Sequence, residues 1–353
     1  MSKSDVSKYY GENGVHRVPL WRIGGFALNN TATNFYLFMM NFVAYYLTGF
    51  VGVLVVTASS FSMFMRIWDG VTDPFIGYVV DKTNGKFGKN RPFMVIGNVI
   101  LCVTSFILFH VTHLLPESTP IRFGFFIVVA ALYYIGYTFQ CVVTKSAQTC
   151  LTNDPKQRPL FSVFDAVYNT ILFTVMAIVA ANLGTKYGSM SDTGVFHELW
   201  LLTAICSAIF TVIAVISIAP KDRTEFFGTG KVVRVGLKDY WDTLKNNRAI
   251  QMLIVSASTD KLATSAKTST VTLVLFAVLA GNYSLQGSLT GIISFISLPI
   301  MIVLISSLAT KLGQRKAMLI GSIGGIFVNL ALILLWLIGD PTTMSSASGG
   351  IAW

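Results

Sequence analysis

The chain has 353 residues, of which 53% are apolar and 12% charged, with a mean hydropathy of +0.64 and a formal net charge of +10. A water-soluble domain cannot bury that much apolar surface, so the composition excludes a soluble globular protein and points to a polytopic membrane protein. The excess of positive charge would suit nucleic acid, but its distribution along the chain assigns it elsewhere.

The N-terminal residues 1–18 are polar and hold no apolar core with a cleavage site, so they are not a secretory signal. A helix needs about 20 mostly apolar residues to cross the roughly 30 Å hydrocarbon layer. Nine such spans are predicted, at 24–48, 53–80, 93–115, 121–149, 160–185, 198–219, 249–280, 283–309 and 316–338. Runs of this length, with every backbone group satisfied inside its own segment, select helices over barrel strands, and the fold class is all-α. Of the 26 Lys and Arg residues, 20 fall in the N-terminus and the segments after spans 2, 4, 6 and 8. The opposite-side loops hold only Arg122 and Lys186. Basic residues near spans stay on the cytoplasmic side, which puts the N-terminus inside a multi-pass plasma-membrane protein. The charge is therefore mostly topology, and no nucleic-acid partner is expected. Cys102, Cys141, Cys150 and Cys206 lie in or beside apolar helices without metal or disulfide spacing and read as small buried hydrophobes.

The longest inter-span segment is basic and divides six helices from the rest. The expected organisation is a six-helix bundle over 1–219, a cytoplasmic central loop over 220–248 and a partial second bundle over 249–353. Within the loop, Val235, Leu237, Tyr240, Trp241 and Leu244 fall mostly on one helical face, as in a surface-lying amphipathic helix or an ordinary linker helix. An internal repeat joins the loops after spans 2 and 8. Lys86-Phe87-Gly88 leads to Met94-Val95-Ile96-Gly97 as Lys311-Leu312-Gly313 leads to Met318-Leu319-Ile320-Gly321. Two such halves predict roughly 450 residues and twelve helices, about nine of which are present, so the chain reads as stopping after span 9.

The sharpest chemistry lies in span 2, where Arg66, Asp69 and Asp73 stand at i, i+3 and i+7 on one helical face. An ionised group in hydrocarbon costs several kcal/mol and must meet a partner, water or an ion. Two carboxylates facing the bundle interior can ligate a monovalent cation or share a proton; an Arg–Asp packing pair would explain one Asp and leave the second without a partner. Span 7 carries Asp260, Lys261 and Lys267 among serines and threonines, and is expected to line a cavity. Trp68, Tyr134 and Tyr137 are rings able to stack on a pyranose face, or ordinary core and interface aromatics.

The run Arg66 to Pro74, followed by Gly77-Tyr78-Val79-Val80-Asp81 and Gly88-Lys89-Asn90-Arg91-Pro92, resembles the glycoside-pentoside-hexuronide:cation symporters of the major facilitator superfamily, the family of melibiose permease. Tyr45-Tyr46-Leu47-Thr48 and Leu237-Lys238-Asp239-Tyr240-Trp241 add to the likeness. The resemblance implies two six-helix bundles rocking about a central cavity. It makes Asp69 and Asp73, with Thr72 and Thr138, the cation site, taking Na⁺ or H⁺ and no other cofactor. Where melibiose carriers hold sugar-site carboxylates, this chain has Asn29 or Asn30 and Cys141, while Lys145 and Asp165 form a candidate pair at the cavity wall, either structural or touching substrate. Arg66, Tyr137 and Lys267 complete the candidate sugar-contacting set. Asp81, Lys82, Lys89 and Arg91 would form the loop that latches the bundles, or serve as topology determinants and anionic-lipid contacts. The implied activity is cation-coupled sugar symport by alternating access, in a monomer surrounded by lipid. A non-transporting sugar sensor and a lipid carrier on the same scaffold are the alternatives; no nucleophile–base pair, metal cluster or phosphate loop suggests an enzyme.

Overall fold

A computed structural model describes residues 15–83, 85, 87–189, 192–223, 226, 237–265 and 311–338. Among these residues every regular element is helical. Helices α1 (Leu20–Met40), α2 (Val55–Lys82), α3 (Arg91–Phe106), α4 (Thr119–Ser146), α5 (Arg158–Tyr187) and α6 (Thr193–Ile218) belong to one compact unit. A second unit holds α7 (Leu237–Asn246), α8 (Arg248–Ser265) and α9 (Gln314–Ile338). Among the described residues, four stretches, Arg91–Leu114, Thr119–Leu151, Arg158–Tyr187 and Thr193–Ile218, are long and apolar enough to cross a membrane. The protein is a helical, polytopic membrane protein. Predicted span 8 lies outside the described residues.

Proline stands in the first turn of α3, α4 and α5, where its missing N–H is one that a helix start leaves free anyway. Predicted spans 1 and 3 do not run through as single α-helices. Span 1 breaks after Met40 and resumes as Val43–Tyr46 and a wide turn, Leu47–Val51. Span 3 passes at Phe106 into a wide turn, Ile107–Val111, and a tight one, Thr112–Leu114. The carbonyls released at these ends converge on one guanidinium. Arg122 donates to the carbonyls of Phe50 at 3.0 Å, His113 at 3.1 Å and Leu115 at 2.7 Å.

At the centre of the first unit lies α1, with 14 of its 21 residues buried. Its contacts with α5 repeat every four residues on both helices: Phe26 meets Phe161, Asn30 meets Asp165, Asn34 meets Asn169 and Phe38 meets Phe173. Matching steps in the same direction mean that the two helices run parallel, row against row. On another side, Ser207 of α6 donates to the Ala32 carbonyl at 3.0 Å and accepts from Asn98 of α3 at 2.6 Å, joining three helices through one hydroxyl. Helices α3 and α4 touch at Gly97 and Gly136, where a Cβ on Gly136 would stand 2.7 Å from Ile100 and 3.2 Å from the Gly97 carbonyl. Small residues that let backbones approach are the usual contact between helices in lipid. Helix α2 leans on α4, with the Trp68 indole donating to the Ala131 carbonyl at 3.1 Å and Phe61 edge-on to Phe126.

The end of the unit that carries the N-terminal segment is closed by polar groups. Asp222, just beyond α6, is fully buried. It accepts from the backbone N–H groups of Lys89 at 3.2 Å, Asn90 at 3.1 Å and Arg91 at 2.9 Å, and from Asn90 Nδ2 at 2.9 Å. A carboxylate thus sits in the amino end of α3, where free N–H groups and the helix dipole favour an anion. Gly88 has a left-handed φ of +92°, and any Cβ there would fall within 2.6 Å of Asp222. Beside it, the backbone N–H of His16 donates to Asn153 Oδ1 at 2.8 Å, Val18 exchanges hydrogen bonds with Gln157, and Arg17 pairs with Asp154. The Lys221 ammonium lies 3.5 Å from His16 Nδ1. Burial, and then the Lys221 charge, hold the His16 imidazole below its ordinary value, while burial draws Lys221 down to about 8.

In the second unit, Asn247 caps α8, its Oδ1 accepting from the N–H of Ala249 at 3.1 Å. Gln251 Nε2 donates back to the Leu244 and Lys245 carbonyls that end α7, at 2.9 and 2.8 Å. Gly313, ahead of α9, has φ +80°, the same left-handed conformation as Gly88. The two glycines are the matched positions of the sequence repeat, so the repeat extends to the backbone turn.

Candidate functional site

The candidate cation ligands come together across α2 and α4. Helix α4 passes α2 so that Thr138, fully buried, donates its hydroxyl to Asp69 Oδ1 at 2.9 Å. Asp73 lies one turn on and close to the same hydroxyl, and the two carboxylates are near enough to repel each other. Asp69 is half-buried and Asp73 exposed. Thr72 lies on the same stretch, but its hydroxyl proton is committed to the carbonyl of Asp69 in its own helix at 3.0 Å, leaving its lone pairs as what it can offer an ion. Pro74 continues α2 directly after Asp73, so the carbonyl one turn before it loses its helical donor. Two carboxylates and two hydroxyl oxygens make a hard, anionic site, suited to a small monovalent cation or a proton. Among the described residues, no cluster of three or more His, Cys, Asp or Glu side chains is placed to hold a metal ion.

Arg66, one turn before Asp69, is exposed and forms no ion pair within 4.0 Å among the described residues, although its charge reaches Asp69, Tyr134 and Tyr137. The inert Arg–Asp packing pair is therefore not what holds this stretch.

The second group of predicted residues collects farther along α4. Tyr137 and Cys141 stand one turn apart, both half-buried and within charge range of Asp69, and Lys145 follows one turn on, exposed. Its charge reaches Asp165 of α5, but the two are not in ion-pair contact. Asp165 is instead met by Asn30 of α1, and its Oδ1 is buried without a hydrogen-bond partner among the described residues. Asn29 points away from this group: fully buried, it donates to Thr144 of α4 at 2.9 Å and joins two helices. The neighbouring asparagines thus divide, one packing and one facing the polar group. Trp68 and Tyr134 are absorbed into contacts inside the unit. Lys267 lies outside the described residues; Asp260 and Lys261 are exposed on α8.

The loop residues find partners inside the first unit. Lys89 pairs with Asp81 at 2.6 Å, Arg91 with Asp222 at 3.4 Å, and the Lys82 ammonium sits 4.3 Å above the Tyr78 ring.

Two polar residues outside the sequence motifs belong to this geometry. Asn34 donates to Asn169 Oδ1 at 2.8 Å, one turn beyond the Asn30–Asp165 contact. The signal was present as polar residues repeating at i, i+4 in two otherwise apolar helices.

Residues 25–348 match the family model described as MFS/sugar transport protein. The chain is 26% identical over 325 residues to the glucuronide carrier protein homolog of Escherichia coli, covering 86% of this chain and 65% of that protein. It is 24% identical to the isoprimeverose transporter of Lactiplantibacillus pentosus (91% of this chain, 66% of that one) and 24% identical to the lactose permease of Leuconostoc lactis (84% and 47%). The chain spans between about half and two thirds of the length of these curated relatives. With the family model matching nearly its whole length and the charged stretch of α2 set against Thr138, the chain belongs to the major facilitator superfamily, in the glycoside-pentoside-hexuronide:cation symporter family.

Proposed function

We propose that this chain carries the ion- and sugar-binding machinery of a secondary active transporter, which couples entry of a sugar or glycoside to a gradient of Na⁺ or H⁺ by alternating access. The observation that carries this reading is the meeting of Thr138 with the paired carboxylates of α2. Two like charges in a low-dielectric site repel until a cation or proton neutralises them, which makes the empty and loaded sites differ in energy. A coupled carrier needs that difference, because an ion shifts a conformational equilibrium only by its differential affinity for the two states.

The working organisation is an amino-terminal bundle over 1–219, a central loop over 220–248 and part of a second bundle over 249–353. The N-terminus faces the cytoplasm, and the protein acts as a monomer in the plasma membrane, with no cofactor besides the coupling ion. The sugar lies against Asn30, Tyr137, Cys141, Lys145 and Asp165. Relatives named for glucuronide, isoprimeverose and lactose support a sugar or glycoside as cargo. The deciding experiment is uptake of radiolabelled sugars and glycosides into vesicles carrying the full-length protein, with and without a Na⁺ or H⁺ gradient. Gradient-driven uptake is expected, and Asp69→Asn and Asp73→Asn should each abolish the gradient-driven part. Uptake indifferent to both aspartates would overturn the mechanism.

A further inference from the structure

The row of contacts between α1 and α5 is aromatic at both ends and polar in the middle, with Asn30 by Asp165 and Asn34 by Asn169. Both asparagines of the outer rung are only half-buried, and their single hydrogen bond uses one N–H of Asn34 and one lone pair of Asn169. Left over are one N–H and the Oδ1 of Asn34 and both N–H groups of Asn169. This is a neutral, fixed edge of donors and acceptors. It carries no charge to hold a cation and no apolar face for an acyl chain, and it matches sugar hydroxyls, each of which donates and accepts. The inner rung, four residues away on each helix and so about 6 Å along the axis, is different in kind, with the Asp165 carboxylate beside Asn30 and within charge range of Lys145.

We propose that Asn34 and Asn169 form an outer sugar-binding subsite that reads neutral hydroxyl groups of the cargo, one helical turn from the Asn30–Asp165 rung. This rests on the transport reading above. A ring bridging the two rungs would be oriented by them, one end held by hydroxyl-matching amides and the other by the charged group. The outer rung would then discriminate among epimers.

The test is made in proteoliposomes with the full-length protein, using labelled methyl glucoside, galactoside, xyloside and glucuronide, and then the monodeoxy analogues of whichever is taken up. In wild type, the analogue lacking the hydroxyl read by the outer rung should show a KM about tenfold higher than its parent. Asn34→Leu should raise the parent's KM by a similar factor and make that one analogue no worse than the parent, while the other analogues keep their wild-type penalties. Asn169→Ser, which retains a small polar group, guards against a variant that fails to insert, with the amount in the membrane measured by an epitope tag. If Asn34→Leu and Asn169→Ser change all analogues alike, the amides only hold helices together and the subsite is overturned. Wild-type protein that takes up none of the four glycosides under either gradient would overturn the transport reading and this subsite with it.

Discussion

Thr138 is the residue on which the proposed ion site turns. It has no exposed surface, its hydroxyl donates to Asp69, and it is the point where α4 reaches both carboxylates. A hydrogen bond to a charged group is worth about 1.5–3 kcal/mol, so Thr138→Ala should weaken the coupling ion by about tenfold or more, read as the ion concentration giving half-maximal uptake. Thr138→Ser should restore most of it, and an alanine variant with wild-type ion dependence would remove the hydroxyl from the site. At this scale the sequence was partly legible. Asp69 and Asp73 announce themselves, because charges in a hydrocarbon span need a reason. Thr138 does not: a threonine in an apolar helix is unremarkable until its neighbour is known, and it came only through family likeness. Asn29 and Asn30 are adjacent and chemically identical, so nothing but helix phase, fixed by packing on α4 and α5, decides which one meets the polar group.

Among the elements, the two ends of the first unit are closed by single charges of opposite sign. Arg122 gathers carbonyls at the finish of the first and third spans, and Asp222 gathers amides at the start of α3. Each places its charge where the helix ends favour it. Removing the carboxylate takes the acceptor from the buried Asn90 N–H and its part-buried neighbours, at about 1–3 kcal/mol for each group left unsatisfied. Asp222→Ala should therefore lower the thermal midpoint of the purified protein by several degrees, with Asp222→Asn, which keeps an acceptor oxygen, falling between. A midpoint unchanged in the alanine variant would show that the contact carries no stability. Span positions were legible because apolar runs of membrane length have few alternatives, and α4, α5 and α9 begin within two residues of expectation. The breaks after Met40 and Phe106 were not. The turns that follow them end on the Arg122 guanidinium, which for Phe50 is a partner 72 residues away that no local pattern reveals.

For the whole molecule, orientation can be checked directly. Lys156, in the turn before α5, and Lys186, in the last turn of α5, are both exposed and stand at opposite ends of that helix, assigned to opposite faces. In a background without native cysteines, Lys186→Cys should react with a membrane-impermeant maleimide on intact cells, and Lys156→Cys only after permeabilisation. The reverse pattern would invert the topology. The repeat of glycine turns at Gly88 and Gly313 was legible as a short sequence match, while its left-handed geometry was not. The Asp222 contact also bears on how the protein is made. Its carboxylate lies 131 residues after the amide of Arg91 that it receives. At about 5–20 residues per second, a ribosome delivers it on the order of ten seconds after the start of α3 has been synthesised. For that interval the nascent helix start must keep its N–H groups in water or on the translocation machinery. The first unit can lock only when nearly all of it has left the ribosome, so its assembly is gated by the last stretch to emerge.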